Sequence, residues 1–136
     1  MVPLKREDLI ILMEGGYIYL GMGRLEEARE VFEGVATLAP ESEVPLVAIG
    51  SVHFAGKKFD QAIQCYKKAL TVEPGSPFAR AYLGEVLFFK GKKGEALAEL
   101  EKASMLDPHG KSGDFARSLI EAIKNGFVPP GQTVAH

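Results

Sequence analysis

The sequence lacks several features that would point to particular classes of protein. It has no tryptophan and one cysteine, Cys65, so no disulfide can form within the chain and a reducing compartment is expected. No apolar run approaches the roughly 20 residues that a membrane-spanning helix needs. The apolar stretch that starts at Leu9 is interrupted by Glu14 and two glycines, which leaves it too short for the core of a signal peptide. We therefore expect a soluble, cytoplasmic protein.

The charge balance and the histidines exclude further functions. The formal net charge is −2, so no basic excess indicates nucleic acid or a membrane surface as a partner. The three histidines, His53, His109 and His136, are far apart in the sequence and cannot form a zinc site with one cysteine at the usual spacing. No set of a nucleophile and a base stands out either. We expect no metal, no cofactor and no enzymatic activity.

One short motif is similar to the end of a phosphate-binding loop. The residues from His109 to Gly113 read His-Gly-Lys-Ser-Gly. The first glycine of such a loop would stand at Met105, and no strand precedes the motif. A linker between two helices is therefore the favoured interpretation.

The main feature of the sequence is an internal repeat with a constant period. Three residue types recur with this period, namely glycine, alanine and proline. They stand at Gly16, Gly50 and Gly84, at Ala28, Ala62 and Ala96, and at Pro40, Pro74 and Pro108. Because three types share one period and one phase, the pattern indicates three structural repeats.

Each repeat is predicted to be a pair of helices. The first helices are expected at residues 6–21, 44–55 and 77–89, and the second helices at 24–38, 58–72 and 92–106. A proline follows each second helix, where it cannot continue the helical hydrogen bonds. Mid-helix glycine costs about 1 kcal/mol relative to alanine, so its recurrence indicates a close helix–helix approach. The second helix supplies the small alanine, and Phe32, Tyr66 and Leu100 are expected to fill the space beside the glycines.

The C-terminal region is predicted to close the array. Residues 112–125 form a seventh helix with one apolar face and a charged outer side, as a terminal cap requires. Residues 127–136, which contain Pro129-Pro130-Gly131, are expected to form a flexible tail.

This pattern resembles the tetratricopeptide repeat family, whose characteristic period equals the spacing from Gly16 to Gly50 and from Gly50 to Gly84. The resemblance implies an all-α, right-handed superhelix with repeats at 9–42, 43–76 and 77–110, followed by the capping helix, in a single domain over residues 1–126. Gly15 stands where the family usually has leucine, and Val35 where it has alanine. The first repeat is therefore expected to be the least regular.

Charge is distributed unequally between the two kinds of helix. Residues 9–21, 44–55 and 77–89 of the first helices carry three charged residues, whereas the second helices carry sixteen. The first helices are thus apolar on nearly every side, which predicts burial on every side. In tetratricopeptide arrays the first helices line a concave, ligand-binding groove, so part of this apolar surface is expected to meet a partner.

The repeat register assigns particular residues to that groove. They are Ile10, Met13, Tyr17, Leu20, Val44, Val47, Ser51, Phe54, Phe78, Ala81, Glu85, Phe88 and Phe89. Among them Phe88 is expected to be a binding anchor and to matter less for stability than Leu87. An exposed apolar groove favours a protein partner, although the C-terminal helix or a second copy of the chain could also cover it.

Three functional hypotheses follow from this groove. The chain resembles the small three-repeat chaperones of bacterial type III secretion, which implies a groove that clasps an amphipathic helix or an apolar segment of a partner. A self-assembling protein or a general adaptor in a multiprotein complex is the alternative. A co-chaperone that reads acidic tails is disfavoured, because the inner positions lack the lysine, asparagine and arginine that grip a carboxylate. Those positions hold Met13, Tyr17, Val47, Ser51, Phe78 and Tyr82.

Overall fold

The computed structural model describes residues 5–131, and within that range the chain forms seven α-helices and no strand. They are α1 (Arg6–Gly21), α2 (Leu25–Leu38), α3 (Val44–Ala55), α4 (Phe59–Val72), α5 (Pro77–Phe89), α6 (Lys93–Leu106) and α7 (Lys111–Lys124). Each predicted helix is present, with its ends at or directly beside the predicted positions. The all-α fold class is confirmed.

The helices stack as a right-handed superhelix of helix pairs. Each helix packs against the next one in the chain, and α1, α3, α5 and α7 also contact one another in sequence. These four helices therefore form one row, and α2, α4 and α6 form the other. The apolar first helices lie in the row that the repeat register assigned to the concave side.

The turn within each pair has the same geometry in all three repeats. Its left-handed residue is Gly23, Lys57 or Gly91, with φ values of 77°, 61° and 89°. In the second turn the left-handed residue is Lys57, although a glycine, Gly56, precedes it directly with a φ of −83°. The repeat period therefore holds for the backbone even where the side chain departs from glycine.

The recurring glycines allow the two helices of each pair to approach closely, as the sequence predicted. A Cβ atom on Gly84 would lie 2.6 Å from Cγ of Leu100 and 3.2 Å from the carbonyl oxygen of Ala96. At Gly16 and Gly50 the added atom would meet the rings of Phe32 and Tyr66. These three large side chains are fully buried and fill the space that the missing Cβ leaves.

The seventh helix covers the end of the third repeat. Its residues Ala116 and Ile123 are buried in the larger apolar cluster, and Phe115, Leu119 and Ile120 pack against that cluster. The part of the predicted flexible tail that the structure describes, residues 127–131, includes the buried Pro129. Residues 132–136 lie outside the described range.

The first helix departs from the prediction that these apolar helices are buried on every side. Ile11 and Ile18 of α1 are 64% and 63% exposed, and Met22 just after the helix is also exposed. The physical reason is position in the array, because α3 and α5 have repeats on both sides whereas no described helix precedes α1.

Candidate protein-binding groove

The open part of the groove lies between the first and second repeats. A cavity of about 670 Å³ lies between α1 and the start of α3, and the buried residues Val35 of α2 and Ala39 directly after it contribute to its lining. Four residues that the sequence assigned to the groove line this cavity, namely Ile10, Met13, Tyr17 and Val44. A cavity of this size has room for several apolar side chains of a partner.

The lining also includes residues that the sequence analysis did not assign to the site. Leu9 and Pro45 add apolar surface, and Arg6, Glu14 and Glu41 add charges of both signs. Sequence reasoning missed them because the repeat register describes first helices that pack regularly, whereas this cavity depends on the gap between α1 and α3.

Three of the assigned groove residues are instead part of the core. Val47 and Ala81 are fully buried and Phe88 is 4% exposed, so none of them offers an accessible surface. Val47 and Ala81 lie on α3 and α5, which have neighbours on both sides. Their positions in the register correspond to that of Met13, which lines the cavity because α1 packs less closely on α3 than α3 packs on α5.

Phe88 is covered by two other aromatic rings. The centroid of its ring lies 5.8 Å from that of Phe127 and 6.2 Å from that of Phe89. Leu87 is equally enclosed, at 6% exposed. Burial therefore gives no reason for Phe88 to matter less for stability than Leu87, because Phe127, which the sequence assigned to a flexible tail, packs over Phe88.

The remaining aromatic residues of the groove are half-buried and pack against one another. The rings of Phe54 and Phe89 meet edge to face at 5.0 Å. Phe78 meets Tyr82 at 5.3 Å, and Tyr82 stacks on Phe115 of α7 at 5.4 Å. Helix α7 therefore covers part of the groove at the third repeat, and Leu20 at the other end packs against the smaller apolar cluster.

One row of the groove is polar. Tyr17, Ser51 and Glu85 occupy the same register position in successive first helices. The Ser51 hydroxyl lies 3.1 Å from the Tyr66 hydroxyl, and either can donate the hydrogen bond. Burial raises the pKa of Glu85 to about 7. The row therefore combines hydroxyl groups with one carboxyl group from which water is largely removed.

The tyrosines beside this row are desolvated as well. Although Tyr17 is 40% exposed as a whole, burial of its hydroxyl end and the nearby Tyr82 raise its pKa to about 12. Burial and then the Glu85 carboxyl raise the pKa of Tyr82. These effects indicate that Tyr17 lies near Tyr82 and that Tyr82 lies near Glu85.

The His109–Gly113 motif forms a helix start and binds the chain's own carboxylate. The backbone N–H of Gly113 donates to Oδ2 of Asp107 at 2.9 Å. The Asp107 carboxyl also lies where a Cβ of Gly110 would be, which explains glycine there. The interpretation of this motif as a linker agrees with this geometry, since Asp107 satisfies the N-terminus of α7.

Other types of site find no support in the part of the chain that the structure describes. Residues 5–131 contain no group of three or more histidine, cysteine, aspartate or glutamate side chains that could hold a metal ion. Within the same residues, no helix combines the length and apolar character that crossing a membrane requires.

The helix pairs, their constant repeat phase and the groove define a tetratricopeptide repeat protein. Comparison with family models agrees, since residues 12–42 match a tetratricopeptide repeat model and residues 50–91 match a second model described as TPR repeat. Together these matches cover just over half of the chain, and the chain belongs to the tetratricopeptide repeat proteins. A search of curated protein sequences finds no match.

Solved structures with the same fold include chaperones of bacterial secretion. The type III secretion translocator chaperone SycD of Yersinia enterocolitica matches with a TM-score of 0.76 and 22% identity, over 87% of this chain and 91% of that one. PcrH of Pseudomonas aeruginosa matches with a TM-score of 0.75 and 17% identity, over 90% and 96%. The first TPR of Spaghetti (RPAP3), bound to the HSP90 peptide SRMEEVD, matches with a TM-score of 0.72 and 22% identity, over 92% and 97%. At these identities the likeness establishes the fold.

Proposed function

We propose that this protein is a non-enzymatic chaperone whose groove holds an amphipathic helix or an apolar segment of a partner protein. The observation that carries the proposal is the cavity of about 670 Å³ between α1 and α3, lined by Ile10, Met13, Tyr17 and Val44. Ile10, Tyr17 and Val44 each remain at least 38% exposed, although apolar side chains of this size are usually buried. A partner that fills the cavity removes this apolar surface from water.

The more specific proposal is a cytoplasmic chaperone for a subunit of a type III secretion system. Structures with the same fold include SycD in complex with a peptide of the translocator YopD, and PcrH in complex with the chaperone binding regions of PopB and PopD. The match to the structure of the PopB complex covers 90% of this chain and 99% of that chain. The fold that holds such segments in those structures therefore extends over nearly all of this chain, which supports the proposal.

A matched pair of substitutions on α1 tests the proposal. Ile10 lines the cavity and is 50% exposed, whereas Ile18 is 63% exposed and does not line it. We expect Ile10→Asp to abolish recovery of the partner that co-purifies with the native protein, and Ile18→Asp to retain it. Mass spectrometry then identifies the partner, and a secretion translocator subunit would support the specific proposal. Equal recovery by the two variants would show that the cavity is not the binding site.

Self-assembly is the second candidate function, and the outer face of α1 favours it. Ile11 and Ile18, together with Met22, form an exposed apolar stripe at helical spacing. A solved structure of SycD shows an alternative dimer. If a second copy covers this stripe, light scattering will give twice the monomer mass for the native chain and the monomer mass for Ile18→Asp.

A further inference from the structure

The carboxyl group of Glu85 has no partner among the residues that the structure describes. None of the ion pairs or side-chain hydrogen bonds of residues 5–131 involves it. Arg80, on the same helix as Glu85, does have a partner, because it pairs with Glu99 of α6 at 2.9 Å. The fold therefore neutralises Glu99 and leaves the carboxyl group of Glu85 in the groove unpaired.

The surroundings of Glu85 make an unpaired charge costly. The side chain is half-buried, and burial alone raises the pKa of its carboxyl group to about 7. Its electrostatic neighbours are the Tyr66 and Tyr82 side chains, which supply ring surface and hydroxyl groups and no positive charge. A cation brought to this point would offset the lost hydration and could also lie against an aromatic ring.

The repeat places this group where a partner would pass. Glu85 occupies the same register position as Tyr17, which lines the open cavity, and as Ser51 between them. A partner segment that enters the cavity and continues along the row reaches the carboxyl group of the third repeat. Tyr82 acts electrostatically on Tyr17 of the cavity, and Glu85 acts on Tyr82, so the carboxyl group is linked to the cavity lining through Tyr82.

We propose that the partner segment held in this groove carries a lysine or arginine side chain that pairs with Glu85, at a constant spacing from the apolar side chains that fill the cavity. The inference rests on the proposed peptide-binding function and adds the chemistry of the partner to it. It also disfavours an acidic guest such as the peptide SRMEEVD held by the first TPR of Spaghetti, because acidic side chains would be repelled at Glu85.

A displayed library of random peptides, each long enough to form a helix of several turns, is the probe. Selection on the native protein should yield peptides with apolar anchors and a lysine or arginine at one constant spacing. Selection on Glu85→Gln should keep the anchors and lose the cation, and selection on Glu85→Lys should replace the cation with an acid. Glu101→Gln, which removes one charge from an exposed site on α6, should select the same peptides as the native protein.

A selected peptide then gives the size of the effect by fluorescence anisotropy. Replacing its cation with glutamine should weaken binding to the native protein by about tenfold, as expected for a charge-assisted hydrogen bond, and binding to Glu85→Gln by less than twofold. Circular dichroism of each variant shows that it is folded. An apolar consensus without a cation would overturn this inference and leave the proposed function intact. The lack of any apolar consensus would overturn both.

Discussion

Gly15 and Gly16 are adjacent in α1 but have different surroundings. A Cβ atom on Gly16 would overlap the buried ring of Phe32, whereas a Cβ atom on Gly15 would have no neighbour within 4 Å. Glycine at position 15 therefore only lowers the stability of the helix through its flexibility, whereas packing against Phe32 requires glycine at position 16.

We predict opposite effects for alanine at these two positions. Gly15→Ala should raise the free energy of unfolding by up to about 1 kcal/mol, because alanine favours the helix. Gly16→Ala should lower it by roughly 1–3 kcal/mol, because the Phe32 ring must move. Urea denaturation of both variants measures the difference. Effects of the same sign would contradict the helix–helix contact described here.

Glu85 predicts a pH dependence of stability. Its pKa in the fold is about 7, above the ordinary value of 4.5, so the folded state holds this proton more tightly than the unfolded state. The stabilisation is complete below about pH 4.5 and is lost as the pH rises towards 7. We predict that Glu85→Gln becomes more stable relative to the native protein as the pH rises through this window.

Urea denaturation at pH 4.5, 6 and 7.5 tests this prediction. The quantity of interest is the difference in free energy of unfolding between Glu85→Gln and the native protein, since other groups contribute equally to both. The exposed Glu101→Gln variant controls for the loss of one charge. A difference that stays constant across the three pH values would show that the Glu85 carboxyl is not desolvated in the fold.

At the scale of elements, α7 completes the core of the third repeat. Its apolar face packs on the larger cluster, and Arg117 donates to the backbone carbonyl groups of Ser104 and Asp107 at the end of α6, at 3.2 and 3.3 Å. Removing α7 would therefore expose apolar side chains and leave these carbonyl groups without that donor.

We predict that deleting residues 111–136 causes aggregation, which light scattering will detect. Two single substitutions on α7 test its packing while the chain keeps its full length. They are placed at Ile123, which is 1% exposed, and at Ser118, which is exposed. Ile123→Asp should greatly lower the midpoint of thermal unfolding, because it buries an unpaired charge, and Ser118→Asp should change it little. A soluble and equally stable deletion variant would show that α7 is not needed as a cap.

At the scale of the whole molecule, partner binding should be driven mainly by apolar burial. Residues 9–21, 44–55 and 77–89 of the first helices carry three charged residues, and the cavity between α1 and α3 is mostly apolar. Binding should therefore show a negative change in heat capacity. The pairing with Glu85 adds one local ion pair, which salt would weaken only modestly because it forms in a half-buried place.

Isothermal titration calorimetry of the purified partner at several temperatures and two salt concentrations tests this expectation. Lys67→Ala, on the exposed side of α4, should bind like the native protein. A heat-capacity change near zero with a steep dependence on salt would instead favour the charged outer faces of the second helices as the binding surface.

The sequence by itself determined the helices, their order and the close contacts within each pair. These features depend on local signals that recur once in every repeat, so that Gly16, Gly50 and Gly84 each predicted a large neighbour one helix away. The left-handed turn residue also has the same position in every repeat, although in the second repeat it is Lys57 and not glycine. The groove was predicted only in part, because Ile10, Met13, Tyr17 and Val44 line the cavity whereas Val47, Ala81 and Phe88 are buried.

Only the tertiary structure decided which of the equivalent positions are accessible. A repeat register gives each first helix the same inner face, but burial depends on what lies beside that helix in the array. The gap between α1 and α3 opens the cavity, Phe115 of α7 stacks on Tyr82, and Phe127 covers Phe88. The unpaired state of Glu85 is likewise a property of the assembled row, because the nearest cation of its own helix, Arg80, is paired with Glu99 on α6.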